Sequence, residues 1–301
     1  MKALSNFLAL GLCAAALGAT PARADALEDE YVKTRNGYIA RFDPGEKEAD
    51  FKKLEGPLKR ASADLQARLR KIVGKPEIKG ATGEGKLNEM SLMKGDIEFG
   101  ALDALVFNLD GKSRAYVTTS GLLGAWLKEH KDWYDKGIPN VPQDAAGALR
   151  FDGFYSQAIS SDAAVTKFAE LDIKPPEGTS FARAMLDRRQ QDDGPGAPDE
   201  IIVSAVRGNR VYILTTPATP KPPVIAACEQ VWKDFEKRST EAYEKGRSGA
   251  MKDEEATKLG ETLRNDGDKA FRACYAEKIK AMPVYAKLVE RAQGMVDKVG
   301  K

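Results

Sequence analysis

Histidine occurs once in this chain, at His130, and that count limits the chemistry before any fold is considered. A serine nucleophile activated by imidazole needs a histidine base, and a histidine-rich metal site needs several. Either mechanism would have to run through His130. It sits among Lys128, Glu129, Lys131 and Asp132, close to Trp126, Trp133 and Tyr134. A general base beside an aromatic platform for a sugar or another flat ligand would have this composition. An amphipathic helix packing its aromatic side on a sheet would have it too, and that is the commoner origin of such a stripe. Ser120 follows a strand-like run and opens a helix-like one. That position could present a nucleophile, or bind an anion on free helix N–H groups. The context Thr118-Thr119-Ser120-Gly121-Leu122 is not G-x-S-x-G, however, and a helix cap at Thr119 or Ser120 is the plainer reading. Ser120, Trp126, His130 and Trp133 are therefore candidate binding residues, and no catalytic residue is assigned.

Other reactive groups point to no cofactor and no metal. Ser91-Leu92-Met93-Lys94 has the S-x-x-K spacing of serine acyl enzymes, but the companion motifs are missing downstream, where Ser161-Asp162-Ala163 lacks the required Asn. Asp192, Asp193, Asp199 and Glu200 form an acidic stretch without calcium-loop spacing. No phosphate-cradling loop or dinucleotide fingerprint occurs. Asp103, Asp152 and Asp162 could serve a carboxylate hydrolase, whose mechanism depends on a separation that sequence does not supply.

The N-terminus has the pattern of a secretory signal. Lys2 is followed by an uncharged apolar run from Phe7 to Leu17, and Ala22-Arg23-Ala24 places small residues where a signal peptidase reads them. The run is too short for a stable membrane span. Lipidation at Cys13 is disfavoured by the bulky Leu12 before it. Cleavage near Ala24 leaves 277 of 301 residues, and the 47 basic residues fall to 45 against 45 acidic ones. A neutral balance argues against nucleic acid as the main partner. The expectation is an exported protein, periplasmic or secreted, with no integral membrane segment after cleavage. Cys228 and Cys274 then remain as an even pair in an oxidising compartment, 46 residues apart and far from C-x-x-C spacing, and are read as a structural disulfide.

The elements that must hold these residues follow from period and punctuation. Residues 25–45 read as a leader with turn signals at Asn36-Gly37 and Asp43-Pro44-Gly45. Glu46 to Val73 is helical, with Leu58, Leu65, Leu69 and Ile72 on one stripe and a break expected at Gly56-Pro57. Residues 74–95 read as a linker. Ala104–Leu109 and Arg114–Thr119 flank Asp110-Gly111, a hairpin signal, and a helix follows with Leu123 and Leu127 on one side. Phe151–Ser160 reads as a strand, and Asp162–Leu171 as a short helix with Val165, Phe168 and Leu171 inward. Residues 174–199 read as loop. A second hairpin follows, Ile201–Val206 and Val211–Thr216 around Arg207-Gly208-Asn209. The proline-rich segment 217–223 is a stiff spacer. The remainder is helical, with both cysteines on apolar faces and Pro283 opening the last helix.

The sum is an α+β fold: a small, mostly antiparallel sheet of two hairpins and one further strand, flanking helices, and a C-terminal helical region stapled by a disulfide. Its expected divisions are a signal at 1–24, a leader, helix and linker at 25–94, an α+β core at 95–220 and the helical region at 221–301. Without a reaction-specific motif, the function read from sequence is a non-catalytic binding or accessory protein of the envelope. Its partner would be an envelope protein or a cell-wall component. A carboxylate hydrolase and a small-molecule binding protein are the alternatives.

Overall fold

The computed structural model describes residues 21–42, 51–88, 91–93, 96–98, 102–129, 145–150, 155, 159, 164–190 and 196–299. Among them are seven helices, a seven-stranded antiparallel sheet and a separate two-stranded ribbon. Helices α1 (Pro21–Phe42) and α2 (Phe51–Val73) precede β1 (Thr82–Leu87), the ribbon of β2 (Ser91–Met93) and β3 (Asp96–Glu98), and the first hairpin, β4 (Leu105–Asn108) with β5 (Arg114–Thr119). Helices α3 (Ser120–Glu129) and α4 (Ala145–Arg150) come next. The meander β6 (Ala164–Leu171), β7 (Phe181–Gln190), β8 (Glu200–Arg207) and β9 (Arg210–Pro217) follows, then α5 (Ala226–Arg247), α6 (Asp253–Lys280) and α7 (Pro283–Val296). The strand order is β1-β4-β5-β9-β8-β7-β6.

Both hairpins form where alternation and turn residues place them. Leu105 pairs with Val117 across the first, and Arg207 with Arg210 across the second, where Gly208 takes φ +59°. The two are joined in the sheet centre by β5 and β9, with Arg114 opposite Thr215 and Thr119 opposite Arg210. Strands β8 and β9 are buried along six consecutive positions each. That is the signature of strands covered on both faces. On one face Leu105, Val117, Val203 and Leu214 pack with Leu65 and Leu69 of α2, Tyr275 of α6 and Leu288 of α7. On the other, Tyr116, Ile202 and Ile213 pack with Leu123 and Trp126 of α3 and Leu149 of α4. Each large apolar side chain so buried contributes about 1.5–3 kcal/mol before entropy is counted.

The sheet is much larger than the small one expected, because charge and glycine concealed strands. Residues 174–199 contain the ten-residue strand β7 rather than loop alone. Its Arg183, Asp187 and Arg188 are buried charges, which usually indicate an exposed segment. Partners make them tolerable: Arg183 donates to Glu170 Oε1 at 3.0 Å and to the main-chain carbonyl of Arg150 at 2.8 Å. The helix expected over Asp162–Leu171 is strand β6. Its pairing with β7 shifts between Lys167 and Ala169, a bulge at Phe168 that breaks strict alternation and leaves a three-residue apolar spacing resembling a helix. The strand expected over Phe151–Ser160 is not seen at the residues described there, since Tyr155 is helical and Ile159 lies in a turn.

The expected linker at 74–95 holds β1, an edge strand paired to β4 with a register shift between Thr82 and Lys86. At Gly85, φ is +74°, and an added Cβ would lie 2.6 Å from the Phe107 ring. Glycine therefore lets this edge fold over a core aromatic. The expected leader at 25–45 is instead helical through Phe42. Asn36-Gly37 sits on its exposed face without turning the chain. Helix α2 also runs unbroken through Pro57.

The disulfide and the last helix form as expected, although the helix ends at Val296 and Val299 instead bridges to Ile78. Cys228 and Cys274 are bonded, with Cα atoms 5.6 Å apart, and Pro283 stands in the first turn of α7. Helices α5 and α6 form an antiparallel hairpin. Their axes come close because an added Cβ at Gly260 would meet the Tyr243 ring at 2.5 Å, and one at Gly267 would meet Phe235 Cβ at 2.6 Å.

Candidate functional site

Ser120 begins α3, half-buried, and its N–H donates to the Asn209 carbonyl at 2.8 Å. Thr119 makes the cap: its Oγ1 accepts from the Leu122 N–H at 3.3 Å and donates to Glu28 Oε1 at 2.5 Å. The Glu28 carboxylate presses on the first turn of α3. A Cβ built on Gly121 would fall 1.6 Å from Glu28 Oε2. The anion this helix terminus can attract is thus supplied by the chain itself, from α1.

The next turns of α1 extend the same contact. The Tyr31 hydroxyl donates to Asp103 Oδ1 at 2.8 Å, and Arg35 pairs with Asp103 through Nη1 and with Glu129 through Nη2. Asn36 Nδ2 donates to Glu129 Oε1 at 3.1 Å. Thr118 Oγ1 donates to the Asp103 carbonyl at 2.6 Å, tying the carboxylate's own backbone to β5. Burial pushes the Asp103 carboxyl above the usual carboxylate range, and the Arg35 guanidinium and Tyr31 hydroxyl oppose that rise. Burial disfavours the charge on Arg35, but Asp103 and Glu129 more than offset it and raise its pKa. Burial likewise raises the Tyr31 phenol, reinforced by Asp103. Arg35 lies between two carboxylates with 2% of its surface exposed. This arrangement clasps α1 to the body and engages both carboxylate oxygens of Asp103.

Of the other residues singled out by sequence, Trp126 is fully buried in the cluster between α3 and the sheet. His130, Trp133, Asp152 and Asp162 lie outside the described residues. No group of three or more His, Cys, Asp or Glu suited to a metal ion is found among the described residues. Glu28, Tyr31 and Arg35 escaped sequence reading because they fall in the expected leader. Their three- and four-residue spacing, continued by Tyr38 and Phe42, was the available signal.

A second arrangement was not legible in sequence. A cleft of about 1760 Å³ opens at one side of the sheet, between the end of α2, the 74–81 segment, the loop before β7, the β8 terminus and the chain following α7. Apolar Phe107, Ile78 and Val299 form part of its wall, and cations reach it from four segments: Arg70, Lys75 and Lys79, Arg207, and Lys298. A smaller recess of about 530 Å³ shares Glu77, Gly178 and Arg207 with it and adds Arg210 and Tyr212. Burial raises the Tyr212 phenol, opposed by Arg210 beside it.

The guanidinium groups here are oriented by main-chain carbonyls. Arg70 Nη2 donates to Gly85 O at 2.9 Å, Arg210 Nε to Val73 O at 2.9 Å and Arg207 Nη1 to Val299 O at 3.4 Å. A carbonyl fixes direction without cancelling charge. Four carboxylates also line the cleft, Glu77, Glu84, Glu177 and Asp297, all of them exposed. Glu84 is paired with Arg70 at 3.0 Å.

Comparison of the chain with protein-family models, with curated proteins and with solved structures finds no match.

Proposed function

We propose that this chain is an exported, non-catalytic binding or accessory protein of the cell envelope, acting by contact with an envelope protein or cell-wall component. The observation that carries this reading is the α5–α6 hairpin. Its helices have 22 and 28 residues, or about 33 and 42 Å at 1.5 Å per residue. At the base, Cys228, Phe271 and Tyr275 belong to the main core. Further along, Ser239, Ala242, Ala256 and Leu263 are buried but belong to none of the hydrophobic clusters. They fill the seam between the two helices, where Ser239 Oγ donates to the Gly260 carbonyl at 2.9 Å. This arm adds little to the core, yet it is stapled at its root and carries twelve acidic and twelve basic residues over 226–280. A stiff polar arm of this kind suits contact with a partner better than it suits stability.

The disulfide supports an oxidising compartment. Among the described residues no helix is long and apolar enough to cross a membrane. The clasp around Asp103 does not support a carboxylate hydrolase, because Arg35 and Tyr31 occupy the carboxylate inside the protein.

The test is a chain in which residues 236–268 are replaced by a short turn, keeping both cysteines, compared with the full chain in the native host. The expected result is loss of the material that co-purifies with the full chain, while near-UV circular dichroism of the body is retained. Co-purification unchanged by removal of the arm overturns the reading.

A further inference from the structure

We propose that the cleft between α2, the 74–81 segment and the end of the chain is a binding site for a small anion bearing phosphate or carboxylate groups on an apolar frame. The proposal is independent of the arm. It rests on the state of the cations in the cleft. Lys75 and Lys79 are exposed and form no ion pair among the described residues. Arg207 donates to the Val299 carbonyl at 3.4 Å, forms no ion pair among the described residues, and lies against Gly178, where an added Cβ would be 3.6 Å from its Nη2. Arg70 keeps a buried Nε without a hydrogen-bond partner, although its other nitrogens are engaged. A buried donor left unmade is costly.

The sign of the ligand follows from how the two kinds of charge are held. Arg70, Arg207 and Arg210 are aimed by carbonyls on three different segments, so their forks are oriented before any ligand arrives. Planar guanidinium groups held in this way suit the paired oxygens of phosphate and carboxylate. The acidic side chains are solvated at the rim: Glu84 has 82% of its side chain exposed, and Glu77, Glu177 and Asp297 are also exposed. Phe107, Ile78 and Val299 give the apolar wall that would cover the uncharged part of the ligand. The sequence hides the site because its cations come from positions as far apart as Arg70 and Lys298, in a chain whose overall charge is close to balanced.

The experiment is calorimetric titration of the full oxidised chain with pyrophosphate and, separately, with citrate, at low and at physiological salt. The comparison proteins are Arg207→Gln, the double variant Lys75→Gln/Lys79→Gln, and Lys221→Gln, an exposed lysine of the proline-rich spacer outside the cleft. Saturable binding of either probe is expected, weaker in salt. Loss of one oriented charged donor should weaken it about tenfold or more, and Lys221→Gln should leave it unchanged. Binding of pyrophosphate alone assigns a phosphorylated ligand, and binding of citrate alone a carboxylated one. The double variant changes only exposed side chains, so it decides the matter if Arg207→Gln does not fold. No saturable binding of either probe by the unaltered chain overturns the proposal, as does binding indifferent to the cleft variants.

Discussion

Gly121→Ala is expected to reverse its sign depending on one residue in another helix. Gly121 is the second residue of α3 and has ordinary helical backbone, so alanine there relieves glycine's entropic cost, a gain of up to about 1 kcal/mol. In the native chain that gain is overwhelmed. The new Cβ would lie 1.6 Å from Glu28 Oε2 and 2.6 Å from its Cδ, so the carboxylate must leave. Its departure ends the 2.5 Å bond from Thr119 Oγ1. A hydrogen bond to a charged group contributes about 1.5–3 kcal/mol, and an anion at a helix N-terminus about 0.3–1 kcal/mol. The net expectation is destabilisation by about 1–3 kcal/mol. In a Glu28→Ala background the three atoms that crowd the new Cβ are gone, and the same substitution should stabilise by about 0.5–1 kcal/mol. Urea unfolding of the four proteins in this cycle measures both values, provided the slopes agree. A Gly121→Ala effect of the same sign and size in both backgrounds would refute the placement of Glu28 on the α3 terminus.

Other perturbations test the same architecture. Arg35→Met strands Asp103 and Glu129 and should cost about 3–5 kcal/mol at neutral pH, whereas Tyr31→Phe removes one hydrogen bond to the Asp103 carboxylate and should cost about 1.5–3 kcal/mol; a larger loss for Tyr31→Phe than for Arg35→Met in urea unfolding would contradict the clasp. Burial already pushes the Asp103 carboxyl up, and without Arg35 the largest opposing influence is gone and the Tyr31 hydroxyl alone remains against it. The Arg35→Met deficit should therefore shrink as pH falls and Asp103 takes up its proton, and a deficit that grows on acidification would show the sign to be wrong. Replacing both Cys228 and Cys274 by alanine opens a 46-residue closure and should lower stability by about 4 kcal/mol in the chain-entropy model; a loss under 1 kcal/mol would mean that the helical hairpin holds its base closed unaided. Hydrogen bonding from Ser113, together with Lys298, holds Asp110 below the usual carboxylate range. Its contribution is present above the unfolded value of about 3.9 and is lost as pH falls through the lower folded one, so the gap between the native chain and Asp110→Asn should close on acidification.

Local pattern was enough wherever a residue's role depends on its neighbours in sequence. The two hairpins, the helix after Thr119, the last helix opened by Pro283 and the apolar faces carrying Cys228 and Cys274 all follow from period and turn chemistry. The sequence was also sufficient to cast doubt on Ser120 as a nucleophile, since Thr119 caps the helix as its type suggests. Other assignments depended on partners distant in the chain. Strand β7 could not be read because Arg183 looks solvated until Glu170 and the α4 carbonyls are brought to it. The phase of β6 was hidden by a bulge that only pairing with β7 reveals. Helix α1 resembled a leader because Glu28 and Arg35 interrupt the apolar character of its inward stripe, and such charges are stable inside only when Asp103, Thr119 and Glu129 meet them. Periodicity reports burial of apolar groups, which any core provides. Burial of a charge, or convergence of Arg70, Arg207 and Lys298 on one cleft, needs particular partners, and only the folded chain brings those together.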